Sequence, residues 1–160
     1  MKITLLGSLG NINSAFIPRL IADGHEVTVI TSRPEGAAAI EKLGAKAAVG
    51  LNTDLDFLSR TFHWFWFGLS HDYGYCFFVS NIKCQIWQKF TSQAIKKADV
   101  KKVINLRSVG AQSPEAGILY EYHAMEDGLD ELTGVTVKHI RPVGFYTNYW
   151  QKLRYLRLKE

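Results

Sequence analysis

Cysteine is nearly absent. Cys76 and Cys84 are the only two in 160 residues, and no His or Cys partner stands at metal-ligand spacing beside them. That scarcity excludes a disulfide framework and argues against a zinc site, so no metal is expected. No secretory segment is legible at the start, because the first apolar run is short and breaks at Gly7. Nor is there an uninterrupted run of about 18 apolar residues to span a membrane. The nearest candidate, 62–80, carries His63, His71, Asp72 and two glycines. These absences predict a reduced, cytoplasmic protein with free thiols. A field of one charge sign is missing as well. The net charge is +4, and the last ten residues, with Lys152, Arg154, Arg157 and Lys159 against Glu160, supply +3 of it. The remainder is nearly balanced, which leaves no basic stripe for a nucleic acid. The length suits one domain with a sizeable core.

What is present begins at "ITLLGSLGNINS", residues 3–14. Ile3-Thr4-Leu5-Leu6 reads as a buried strand, and Ile12, Phe16, Ile17, Leu20 and Ile21 recur at helical spacing. Gly7 and Gly10 therefore fall on a strand-to-helix turn. Glycine suits a turn of positive φ or one where a ligand approaches bare backbone. The helix beyond aims unpaired N–H groups and a positive dipole end at whatever sits there. That is an anion site, and a dinucleotide pyrophosphate is its usual occupant. Gly24-His25-Glu26 and a second strand, Val27-Thr28-Val29-Ile30, complete a strand–turn–helix–strand unit of about thirty residues, the length the fingerprint requires. Asn13 stands at the third glycine position, so the helix is expected slightly farther from the sheet.

Strand and helix alternate onward. The pattern predicts strands near 2–6, 26–31, 45–50, 102–106 and 135–140, and helices over 11–22, from Pro34 to Gly44, and over 54–62, 89–98 and 119–134, with Asp54 as an N-cap. Such alternation implies an α/β fold, a doubly wound parallel sheet with helices on both faces. One stretch breaks the pattern. Residues 62–90 hold 11 of the chain's 20 aromatics and both cysteines, with a period of neither 2 nor 3.6. A fourth strand and part of a fourth helix belong there, the strand at Phe65–Leu69 or Tyr75–Ser80. The composition favours an altered stretch, divergent or frame-disrupted, over a purpose-built aromatic wall for a flat ligand.

The end of the second strand selects the nicotinamide cofactor. An acid there would bond the ribose 2′-hydroxyl of NAD, and a basic residue would hold the 2′-phosphate of NADP. The residues are Thr31-Ser32-Arg33-Pro34: two hydroxyls, a guanidinium suited to phosphate, and no acid. NADP(H) is preferred, with NAD(H) as second choice.

Together "ITLLGSLGNIN", "GHEVTVITSRP", "LGAKAAVG", "VKKVINLRSVGA" and "GVTVKHIRPVGFYTN" resemble the NmrA-like family of atypical short-chain dehydrogenase/reductases over residues 1–62 and 91–149. The resemblance implies a Rossmann domain over 1–149, a basic tail over 150–160, and an NAD(P)H-dependent oxidoreductase acting on quinone-like or azo acceptors. It implies Gly7, Ser8, Gly10, Asn11 and Ile12 at the pyrophosphate, and Ser32 and Arg33 at the 2′-phosphate. Gly50 and Leu51 would lie near the adenine, and Ser108 and Val109 beside the nicotinamide. Homo-oligomerisation is compatible with it. The alternatives are a non-catalytic NADP(H)-sensing module and a truncated, inactive relative.

Three departures stand out. Arg107 replaces the family's small hydroxyl residue, the segment after Phe62 does not match, and the family's C-terminal substrate region is largely missing. The Tyr-x-x-x-Lys pair of typical short-chain dehydrogenases is absent, since Tyr120 is followed at that spacing by Ala124 and Tyr122 by Glu126. His123 is the one titratable candidate on that helix, and a lone helix histidine is more often a packed side chain.

Overall fold

The computed structural model describes residues 1–7, 9–62, 65–69, 81–113, 115 and 123–143, with only the backbone at 11, 65–69, 81–85 and 124. Among these residues six strands form one sheet in the order β3-β2-β1-β4-β5-β6. They are β1 (Lys2–Leu6), β2 (Glu26–Thr31), β3 (Lys46–Val49), β4 (Phe65–Leu69), β5 (Lys102–Leu106) and β6 (Thr136–Ile140). Every adjacent pair is parallel, so all the carboxyl ends meet along one edge. The helices are α1 (Asn11–Ala22), α2 (Ala37–Lys42), α3 (Leu55–Thr61), α4 (Asn81–Lys97) and α5 (His123–Asp130). The strand order runs outward from β1 to β3 and then returns beyond β1 to β4. In open α/β sheets ligands bind outside the carboxyl ends of the strands at such a reversal.

Strand alternation gives each face its own core. Ile3, Leu5, Val27 and Val29 pack with Ile17 of α1 and Ile40 of α2. Ile30 and Val103 pack on the other side with Leu58, Ile95, Met125 and Leu129 from α3, α4 and α5. Each fully buried aliphatic side chain contributes about 1.5–3 kcal/mol. Thr4 is the polar member of an otherwise apolar β1, and its hydroxyl donates to the Thr61 carbonyl at the end of α3 (3.0 Å).

The expected elements largely stand. Asp54 caps α3, its carboxylate accepting from the Phe57 amide (2.9 Å). Gly44 takes φ +85° as α2 gives way to β3. The fourth strand takes the first of its two expected places, and one helix differs for a clear cause. β4 is Phe65–Leu69, hydrogen-bonded to β1 on one side and β5 on the other, and an interior parallel strand reads as a continuous apolar run without alternation. The expected start of α4 at residue 89 was too late, because the helix begins at Asn81. Its first two turns fall in the stretch without a helical period, and farther on its buried face includes the polar Thr91 and Ser92. Ser92 is satisfied there by donating to the Gly128 carbonyl of α5 (3.0 Å).

The described part of the predicted 119–134 helix is His123–Asp130. Leu132 extends the apolar pattern past its end because the residue is buried in the turn that follows. The alternative strand at 75–80, and Cys76, lie outside the described residues. Among the described residues no helix is long and apolar enough to cross a membrane.

Candidate cofactor site

The turn after β1 is built largely from backbone. Gly7 takes φ +103°, a left-handed conformation costly for a residue with a Cβ. Gly10 is the extended N-cap residue of α1, and the Ser14 amide closes the first helical bond to its carbonyl (3.0 Å). The amides of residues 11 and 12 precede that bond and have no intrahelical acceptor, as at any helix start. No acid lies in the first turn to compete for an anion. Asn13, at the third glycine position, is buried, and its side-chain amide donates to the Gly7 carbonyl (2.8 Å). The larger residue thus ties the turn together from below. Ile12 packs against the first core, so its contribution to the turn is its amide. Ser8 lies outside the described residues, as does the Asn11 side chain.

At the end of β2 the two hydroxyl residues separate in role. Thr31 is buried, and its Oγ1 accepts from the Arg33 amide (3.1 Å). Its carbonyl accepts from the Gly50 amide (3.0 Å), tying the end of β2 to the loop after β3. Thr31 shapes the loop, while Ser32 and Arg33 are exposed. A single 3-10 turn, Pro34–Gly36, then turns the chain back, with the Gly36 amide bonded to the Arg33 carbonyl (3.0 Å).

Gly50 answers to a neighbour in the fold. A Cβ there would stand 2.5–2.6 Å from three ring atoms of Phe57, so the Phe57 ring of α3 alone requires glycine at this position. Leu51 beside it is 62% exposed. On the far side of the β1/β4 reversal, the Arg107 amide bonds the Ile140 carbonyl (2.8 Å) and the Val109 amide bonds the Pro142 carbonyl (3.0 Å). Pairing therefore continues past the ends of β5 and β6. Ser108 is half-buried, Val109 is exposed, and Gly110 turns the chain away at φ +92°. Arg107 is only 5% exposed, so this guanidinium is held within the fold.

The described residues among these positions thus gather along the carboxyl edge of the sheet, on both sides of the β1/β4 reversal. His123 opens α5, its Nε2 3.3 Å from the Asp127 carboxylate one turn on.

Sequence reasoning missed a polar layer between α5 and the β5–β6 pair. Glu126 is 2% exposed and receives two bonds from Arg141, Nε to Oε1 at 3.0 Å and Nη2 to Oε2 at 2.6 Å. The Glu126 carboxylate holds the guanidinium above its ordinary pKa, against the opposing effect of burial. Beneath them, Asn105 Nδ2 lies 2.9 Å from His139 Nδ1, and His139 Nε2 lies 2.9 Å from the Asp130 carboxylate. The tautomer protonated on Nε2 satisfies both contacts, accepting from Asn105 and donating to Asp130. A signal was present: Glu126 shares the stripe of Met125 and Leu129, and an acid on a buried face needs a cation.

No protein-family model and no curated protein sequence matches the chain. Solved structures match its fold. Triphenylmethane reductase of Citrobacter sp. complexed with NADP(H) is 17% identical, with TM-score 0.74, over 97% of this chain and 54% of that one. An NADPH-dependent quinone oxidoreductase from Escherichia coli is 17% identical, with TM-score 0.77, over 96% and 51%. UDP-N-acetylglucosamine 4-epimerase from Bacillus cereus is 14% identical, with TM-score 0.66, over 88% and 53%. The fold is thus shared with these reductases and this epimerase alike, and the chain spans about half the length of these three.

Proposed function

We propose that the chain is an NADP(H)-binding domain of the NmrA-like, atypical short-chain dehydrogenase kind, serving hydride transfer to quinone-like or azo acceptors. The observation that carries this reading is the pairing of a bare-backbone turn at the sheet's reversal with an exposed arginine at the end of β2. The residues fit the cofactor: a left-handed glycine turn, a helix start free of acids, and a cation where a 2′-phosphate would lie. The likeness to an NADPH-dependent quinone oxidoreductase and to a dye reductase complexed with NADP(H) supports the choice of chemistry.

In this reading the amides at the start of α1 neutralise the pyrophosphate. Arg33 binds the 2′-phosphate by charge-assisted bonds, with Ser32 beside it. Leu51 offers apolar surface to the adenine, and Ser108 and Val109 border the nicotinamide. The bound cofactor supplies the hydride, and the protein supplies orientation. Acceptors such as quinones place little demand on a protein acid, which accords with the missing Tyr-x-x-x-Lys pair.

That same absence favours a second reading, a sensing module that binds NADP(H) and turns nothing over. One experiment separates the two. Protein is titrated with NADPH and NADH by intrinsic fluorescence, then mixed with NADPH and a soluble quinone while the reduced-nicotinamide absorbance is followed. Binding with turnover supports the reductase, and binding without turnover supports the sensor. A protein that binds neither nucleotide is neither.

A further inference from the structure

Asn13 stands where the dinucleotide fingerprint carries its third glycine, the residue that lets a helix pack closely on its strand. It is 2% exposed, and its side-chain amide donates to the Gly7 carbonyl (2.8 Å). Gly10 is the N-cap of α1, so Asn13 is the third residue of the helix. A glutamate or glutamine at that position characteristically reaches back to the amide of the cap itself. Asn13 reaches past the cap instead, to the glycine that follows β1. Gly7 needs such a restraint. Its φ of +103° is open to glycine, and the same freedom lets the adjoining peptide rotate. A Gly7 carbonyl turned toward a bound anion would set partial negative charge against it. The bond from Asn13 holds that carbonyl on the buried side of the turn.

We infer that Asn13 is a positioning residue for the cofactor pyrophosphate: its amide keeps the start of α1 in register with the end of β1 and the Gly7 carbonyl out of the anion's path. The amides at the start of α1 then stand in place before the cofactor arrives, and binding does not have to order a glycine turn. The inference rests on the reading above, because it needs a pyrophosphate at this turn. Its chemical requirement is a hydrogen-bond donor at residue 13. An ionised carboxylate there could only accept, and it would repel both the Gly7 carbonyl and the phosphates. No acid lies in the first turn of α1. Loss of the donor leaves the Gly7 carbonyl unheld, and NADP+ affinity should fall roughly tenfold or more.

The test titrates the whole chain with NADP+ by intrinsic fluorescence at mildly alkaline and mildly acid pH, each variant being referred to the native protein at the same pH. Asn13→Leu keeps the size of the side chain and removes the donor, so it should lose roughly tenfold or more at both pH values. Asn13→Asp should bind still more weakly at alkaline pH. In acid its carboxyl, buried beside a carbonyl and a phosphate, takes up a proton and can donate, and most of the native affinity should return. A third arm uses the native protein alone. Before NADP+ is added, its Asn13 side-chain amide should exchange with water more slowly by NMR than an asparagine amide in a short peptide. Exchange as fast as in the peptide overturns the inference, and that arm needs no variant to fold. Asn13→Leu with affinity within about twofold of native overturns it as well. So does an equal deficit of Asn13→Asp at both pH values, since a role in packing alone would not titrate. Failure of the native protein to bind NADP+ defeats the proposed function, whereas NADP+ binding that is indifferent to Asn13→Leu defeats only this inference.

Discussion

Residues 1–62 and 81–143 build their shares of the carboxyl edge by different means. In the first region the site is backbone: a left-handed glycine, a helix start, and a loop tied by the Gly50 amide to the Thr31 carbonyl. Its components lie close in sequence within consecutive strand–helix units. In the second region the edge is held by side chains from distant positions, Glu126 with Arg141 and Asn105 with His139 and Asp130. A backbone site tolerates sequence change as long as its glycines and register persist. A side-chain site fails when one member is lost. The first region is thus the more tolerant of sequence change, and the second the more exposed to single substitutions.

The largest effect should come from breaking the second region at its most buried point. Arg141→Met leaves the Glu126 carboxylate, 2% exposed, without its cation, and stranding a buried charge in this way costs about 3–5 kcal/mol. That is a large part of the stability of a domain this size. Denaturant unfolding should show the midpoint falling with an unchanged slope. A loss under about 1 kcal/mol would show the pair to be solvated, and the contrast between the regions would weaken.

Next is the turn itself. Gly10→Val places a branched side chain at the N-cap, where the pyrophosphate would approach, and should lower dinucleotide affinity at least a hundredfold, about 2.7 kcal/mol. Stability should change far less, since Gly10 has an ordinary extended conformation. Fluorescence titration checks the affinity and thermal unfolding the stability. Unchanged affinity would remove the anion role from this turn.

Arg33→Ala should act more selectively. The side chain is exposed, so folding should be untouched, while NADPH affinity falls roughly ten- to a hundredfold, the worth of about 1.5–3 kcal/mol of charge-assisted bonding. NADH, lacking the 2′-phosphate, should change little. Parallel titrations decide it, and equal losses for both cofactors would show that Arg33 does not read the phosphate.

The same contrast explains what was legible in the sequence. Strand 2–6, helix 11–22 and strand 26–31 were readable because their apolar periods are short-range and both turns carry glycine. Asp54 was readable as a cap because its acceptor role depends on the amide three residues away. Gly50 was noticed and its cause was not, because only the folded chain brings the Phe57 ring over it. α4 was read short because its first two turns lie in the aromatic stretch 62–90, whose period is neither 2 nor 3.6, and the bond that satisfies its Ser92 comes from a residue 36 positions away. The Glu126–Arg141 pair crosses 15 residues and joins a helix to the end of a strand, so no local period encodes it. Local physics wrote the first region plainly. Tertiary pairing wrote the second.

The smallest expected effect lies on the seam between the two regions, where Lys97 of α4 bonds Asp56 of α3. The Lys97 hydrogen bond, and then its charge, hold the Asp56 carboxyl below its ordinary value of 3.8. A carboxyl lowered on folding adds stability above its unfolded pKa and surrenders it as pH falls through the folded one. The native protein should therefore exceed Asp56→Asn slightly in stability at neutral pH. That margin should stay flat until the pH nears 3.8, shrink below it, and vanish once the folded carboxyl is protonated. Both partners are more than half exposed, so added salt should erase most of the margin even at neutral pH. Paired urea titrations at neutral and acid pH, with and without salt, measure it. A margin that survives high salt would mean that α3 and α4 are joined there by more than a surface pair, and that the two regions unfold as one unit through this contact.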